Sequence, residues 1–225
     1  MKGAKKAVVL MLCVGAVAVA GVFGTMAYFT SQDVVENTFT VGNVAITLDE
    51  AKVNEYGVPV DASGAETTVE LAPRVDANTY KLFPGHTYTK DPIVHVDDKS
   101  ENCWLFVKIE NDIDKVDISR DKTINDIERK TLATQLSERG WTAVDANAGI
   151  YAYTSIVTAG ADIPVFVSFT IEGDGIEYDD LIKFDKTDKG ADAPAITVTA
   201  YAIQADGFTT YEAAWNGAKN QFTGN

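Results

Sequence analysis

His86 and His95 are the only histidines in the 225-residue chain, and they are the first residues to test for chemistry because imidazole serves both metal binding and proton transfer. His86 follows the turn pair Pro84-Gly85 and His95 lies on the alternating segment after it. The two cannot share one helix face, and no HExxH pattern is present, so the zinc-protease arrangement fails. No serine stands in a GxSxG elbow, and neither histidine has a recognisable triad context. Cys103 occupies an apolar face with Leu105, Val107 and Ile109 and has no basic neighbourhood, which predicts a small core residue rather than a nucleophile. In "IEGDGIEYDD", Glu172, Asp174, Asp179 and Asp180 are hard oxygen ligands of the kind calcium takes. Their spacing departs from the EF-hand loop and lacks its terminal Glu, so a solvated acidic loop is expected. The sequence proposes no catalytic residue, no cofactor and no metal site.

The elements that would position any site are mostly strands. Val44, Ile46 and Leu48 share one face of "NVAITLDE", and "NCWLFVKIEN" alternates in the same way. "GIYAYTSIV", "DIPVFVSFTI" and "AITVTAYAIQA" continue the pattern, the last two with apolar residues on both faces, as central strands packed between layers have. One helix is predicted, from about Thr123 to Arg139, with Ile124, Ile127, Leu132 and Leu136 as its stripe, Thr123 as cap and Gly140 as stop. Loops are expected from Asn54 to Gly64 and from Asp185 to Asp192. The fold class expected is all-β, an antiparallel sandwich of jelly-roll type with a short helical insertion, spanning residues 42–225.

The N-terminus has a different character. Lys2, Lys5 and Lys6 precede an uncharged apolar run from Ala7 to Ala27 that ends in Thr25-Met26-Ala27, with small residues where a signal peptidase inspects them. The run is 21 residues long, enough to span a hydrocarbon core of about 30 Å, yet no basic stop-transfer cluster follows. Residues 1–27 are expected to be a signal peptide, cut between Ala27 and Tyr28, so that the chain meets a membrane only through this segment. Cleavage removes three of the 19 basic residues and none of the 33 acidic ones, leaving 16 against 33 and a net charge of −17. Such a chain has no basic patch for nucleic acid, and its acidity favours solubility outside the cell. One cysteine, Cys103, remains, so no internal disulfide forms.

Residues 28–41 read as a β segment of their own, or as an ordinary edge strand that bends on its way into its own sheet. Phe29, Val35, Phe39 and Val41 share odd parity, the apolar positions turn even from Val44, and the change at Gly42-Asn43 marks a turn or bulge between two segments.

The blocks "GTMAYFTSQDVVENTFTVGNVAITLDE", "LFPGHTYTKDPIVHV" with "CWLFVKIEN", "GIYAYTSIVTAGADIPVFVSFTI" and "AYAIQADGFTTYEAAWNG" together resemble the TasA and camelysin family of exported Gram-positive proteins, which a dedicated signal peptidase processes. The resemblance covers most of the chain beyond the signal segment. It implies a secreted jelly-roll protein of the biofilm matrix or cell surface that polymerises head to tail, with an assembly or anchoring protein as a further partner. It also implies a donor strand, here Tyr28 to Val41, added to the sheet of the next subunit, with Phe29, Val35, Phe39 and Val41 filling its groove. Some camelysin-like members are described as metallopeptidases, a role for which this sequence supplies no zinc motif. The other alternative is a monomeric secreted binding module or adhesin.

Trp104 and Phe106 lie on the opposite face of the Cys103 strand. The sequence predicts that the chain's own helix, Thr123 to Arg139, covers them, with a second subunit interface as the alternative.

Overall fold

A computed structural model describes residues 44–177, 181 and 195–222, all within a unit that runs from Ser31 to Asn225. Ala27, Tyr28, Phe29, Val35, Phe39, Val41, the break at Gly42, Asp179, Asp180 and the loop from Asp185 to Asp192 lie outside the described residues. Among the described residues, no helix is long and apolar enough to cross a membrane.

The alternating runs become strands in several antiparallel sheets, and the all-β class expected from periodicity holds. The largest sheet has the order β11-β4-β8-β7, from β4 (Cys103–Asn111), β7 (Trp141–Asp145), β8 (Ile150–Tyr153) and β11 (Ile196–Gln204). A second has the order β1-β3-β9, from β1 (Ile46–Asp49), β3 (Ile93–Val96) and β9 (Asp162–Pro164). Two pairs complete the set among the described residues: β2 (Thr87–Thr89) with β10 (Ser168–Thr170), and β5 (Lys122–Ile124) with β6 (Ile127–Arg129).

Period-two side-chain alternation sorts the core into two clusters. Cys103, Leu105 and Val107 of β4 and Ile196, Val198 and Ala200 of β11 join Ile46, Leu48, Val94 and Val96 from the second sheet in the larger one. Tyr88 and Phe169 stack within it, ring centroids 4.9 Å apart. Trp104 and Phe106, on the other face of β4, join Ile150, Ala152 and Ile203 in the smaller one.

Four expectations need correction. The predicted helix from Thr123 to Arg139 is half hairpin: Asn125 and Asp126 adopt φ of 50° and 62° between β5 and β6. Two left-handed residues in a two-residue loop make the tight turn that suits twisted strands, and Asn and Asp tolerate it best. Ile127 is consequently exposed instead of joining an apolar stripe. The helix itself, α1, is Leu132–Glu138, capped by Thr131, whose side chain accepts from Thr134 N–H at 3.2 Å.

Second, "DIPVFVSFTI" is not one central strand. It divides into β9 and β10 in different sheets, with Val165 and Phe166 fully buried at the crossing. Gln135 of α1 satisfies the backbone there: its Oε1 accepts from Val167 N–H at 3.0 Å and its Nε2 donates to the Ser168 carbonyl at 2.9 Å.

Third, among the described residues β11 stands at the end of its sheet. Its two faces are covered all the same, one by the larger cluster and the other by a helix.

Fourth, that helix, and not the Thr123–Arg139 segment, covers Trp104 and Phe106. It is α2 (Tyr211–Phe222), whose Ala214, Trp215 and Ala218 pack into the smaller cluster. Thr210 caps it, its hydroxyl accepting from Ala213 N–H at 3.2 Å.

Candidate functional site

Two places in the fold combine features that could serve a function: a polar cluster where the chain leaves β1 and β2, and the free side of β11.

His95 sits on β3 between its two sheet neighbours. Its Nδ1 is 2.6 Å from Asp162 on β9 and its Nε2 is 2.9 Å from Asp49 on β1. With a carboxylate at each nitrogen, the protonated ring can donate from both, so the site favours the imidazolium form. Burial alone would lower the His95 pKa, but the hydrogen bonds to Asp49 and Asp162 outweigh it and raise it above the usual value near 6.5. Burial would likewise raise Asp49, and the hydrogen bonds from Arg74 and His95 bring it below 3.8 instead. Arg74 completes the group, pairing with Asp49 and donating to Asp91 at 3.0 Å.

The signs give opposite pH limits. The His95 contribution is complete below about 6.5 and is lost as pH rises through its raised value. The Asp49 contribution is present above about 3.8 and is lost in acid. His95→Gln is therefore expected to cost about 1 kcal/mol at pH 6 and little at pH 9, measured by denaturant unfolding at both pH values. Equal losses at the two would remove the ion-pair account.

Next to this group lies a drier one. Glu50 and Lys90 are 2% and 8% exposed. Lys90 Nζ donates to Glu50 Oε2 at 2.6 Å, and Asn78 Nδ2 donates to Glu50 Oε1 at 2.9 Å. Asn78 Oδ1 accepts from Val53 N–H at 2.9 Å, and its Nδ2 also donates to the Ala51 carbonyl at 2.9 Å. Tyr80 closes one side, its hydroxyl donating to the Thr89 carbonyl at 3.0 Å. Burial, with Glu50 and Asp91 nearby, holds its phenol far above the ordinary range.

The other residues singled out from the sequence do not converge on these groups. His86 Nε2 meets the Tyr56 carbonyl at 2.9 Å and the ring packs on Tyr88, a turn-stabilising arrangement. Cys103 is fully buried and its thiol is pushed up to about 12 by burial. Glu172 pairs with Lys122, while Asp174 is exposed. Among the described residues, no three His, Cys, Asp or Glu side chains come together as metal ligands. Trp104 and Phe106 do come together, beneath α2, where Phe106 and Trp215 approach to 5.3 Å between ring centroids.

The hydrogen-bond phase of β11 follows from its ends. Asp112 N–H donates to the Ala195 carbonyl and Ala205 N–H to the Asn102 carbonyl, on the register that pairs Ile196 with Asn111. In an antiparallel ladder the bonding alternates, so the odd residues of β11 address β4. The peptide groups of Ile196, Val198, Ala200, Ala202 and Gln204 face the other way. Among the described residues, no strand pairs along that side.

An open cleft of about 830 Å³ lies elsewhere, between the end of β4, the start of α1 and the turn at Ala146 to Gly149. Its lining carries Glu110, Asp112, Asp114 and Asp117 against Lys108, together with Leu132 and Tyr151. Burial pushes the Asp117 carboxyl up to about 6.

The chain matches no protein-family model, no curated protein and no solved structure.

Proposed function

We propose that this chain is an exported structural protein, a fibre subunit of a Gram-positive biofilm matrix or cell surface, without catalytic activity. Its fold is read as a sandwich of jelly-roll type, in keeping with the TasA and camelysin family that the sequence resembles. In this reading Tyr28 to Val41 of one copy adds as a strand along β11 of the next.

The observation that carries the reading is the nine-residue β11, with alternate peptide groups turned away from β4 and no described strand on that side. An added strand satisfies such groups, and exposed edges otherwise invite uncontrolled pairing. The even residues of β11 also contribute Ile196, Val198 and Ala200 to the larger core cluster. Phe29, Val35, Phe39 and Val41 of an incoming strand would extend that cluster. Head-to-tail contacts of this sort do not close, so they propagate as filaments.

Chains beginning at Tyr28 and at Gly42 are compared by light scattering after size exclusion and by electron microscopy. Filaments are expected from the first and monomers from the second. Ala202→Pro in the longer chain is also expected to stay monomeric, because the lost N–H faces away from β4 and proline is tolerated on that side of an edge strand. Monomers of equal stability from both lengths would overturn strand addition. The acidic cleft beside Asp117 would then favour the second reading, a monomeric secreted binding module.

A further inference from the structure

We propose that Asn78 and Lys90 become joined by an amide bond between their side chains after folding, with Glu50 carrying the protons. The three groups that such a condensation needs are an amine, a carboxamide and an acid-base group. Here one carboxylate holds both reactants: Glu50 Oε2 binds Lys90 Nζ at 2.6 Å and Glu50 Oε1 binds Asn78 Nδ2 at 2.9 Å. Nucleophile and leaving group are thus gathered on the two oxygens of one carboxylate, which makes their reaction intramolecular.

The electrophile is also prepared. Val53 N–H donates to Asn78 Oδ1 at 2.9 Å, where negative charge develops when the carbonyl is attacked. Glu50 and Lys90 are both more than nine-tenths buried and Asn78 is half-buried, so water reaches the amine poorly. The backbone fixes the nucleophile's position, since Lys90 N–H donates to the Val167 carbonyl at 3.1 Å.

The step balances without an oxidant or any co-reactant. Glu50 takes a proton from the Lys90 ammonium, and the freed lone pair attacks Asn78 Cγ. The tetrahedral oxyanion on Oδ1 rests against Val53 N–H. Glu50 returns its proton to Nδ2 and accepts the second proton from Nζ as the Cγ–Nδ2 bond breaks. The departing ammonia carries that surplus proton away as ammonium, and the Cγ–Nζ amide remains. Glu50 touches both reacting nitrogens and is a catalytic residue for this single turnover.

The bond would close a ring over the turn at Pro84-Gly85 and strand β2. Outside the first 27 residues the chain has only Cys103, so it has no disulfide to supply such a constraint. The inference is independent of strand addition.

The test is tryptic mapping of the purified, denatured full chain. Residues 75–81 and 82–99 are expected as one linked species, lighter by about 17 Da than the two peptides together, with cleavage after Lys90 lost and fragmentation placing the link at Asn78. Glu50→Gln and Lys90→Arg are expected to abolish the link, the arginine variant keeping a cation opposite Glu50 so that the fold is retained. Separate, full-mass peptides 75–81, 82–90 and 91–99 from folded wild-type protein would overturn the proposal and leave Lys90 and Glu50 as a buried ion pair.

Discussion

Phe106→Ala is expected to lower the unfolding free energy by about 3–5 kcal/mol, the range for emptying a fully buried aromatic site. Phe106 is wholly inaccessible, on the face of β4 covered by α2, and its ring meets Trp215. Neither side can collapse easily into the space: β4 is held by β11 and β8 on both edges, and α2 is anchored by the Thr210 cap and by Trp104 Nε1 donating to the Phe208 carbonyl at 3.4 Å. Trp104→Ala is expected to cost nearly as much. Chemical denaturation measures both. A loss below about 1 kcal/mol for Phe106→Ala would mean that α2 does not seat on the sheet as described.

Gly149→Ala is expected to be of similar severity, about 3 kcal/mol or more, although it adds a single methyl group. Gly149 has φ of 69°, and a Cβ there would lie 2.2 Å from the Ile109 carbonyl oxygen. That oxygen belongs to backbone which is itself held, since Ile109 N–H donates to the Gly149 carbonyl at 2.8 Å. The strain of a left-handed alanine and the clash therefore act together. Gly64 provides the comparison: its φ is 87° but a Cβ would meet nothing within 4 Å. Gly64→Ala is expected to cost only about 1 kcal/mol, so thermal unfolding of the two variants side by side separates steric contact from backbone preference. Equal shifts would show that the β4 backbone yields.

These effects trace to features that differ in how plainly the sequence displays them. The inward set Cys103, Leu105 and Val107 is legible because a strand exposes its period directly in the order of residue types. The outward set Trp104 and Phe106 is equally visible, but its cover is not. α2 presents Ala214, Trp215 and Ala218, with Tyr211 partly buried beside them, two of the four being small alanines, so the stripe does not stand out, and the local signal is Thr210 three residues before Ala213. The Ile124 and Ile127 spacing suits a helix as well as a two-residue hairpin, and Asn125-Asp126 is what decides between them.

The polar groups were illegible for a different reason. His95 lies 46 residues from Asp49 and 67 from Asp162, while Glu50 is 28 from Asn78 and 40 from Lys90. No local motif encodes such sets. They exist because antiparallel pairing of β1 with β3 and the return of the chain after β2 bring distant residues to one end of a sheet.

The pairing of β4 with β11 also bears on the time course of folding. Partners along this ladder are separated by 85 residues at Ile196 and Asn111 and by 101 at Gln204 and Cys103. Loops of that length close slowly, and a topology dominated by such contacts folds late and all at once. A chain emerging N-terminus first has Trp104 and Phe106 uncovered until α2 has followed. The interval in which these aromatics stand bare is the one in which a chaperone would have most to hold.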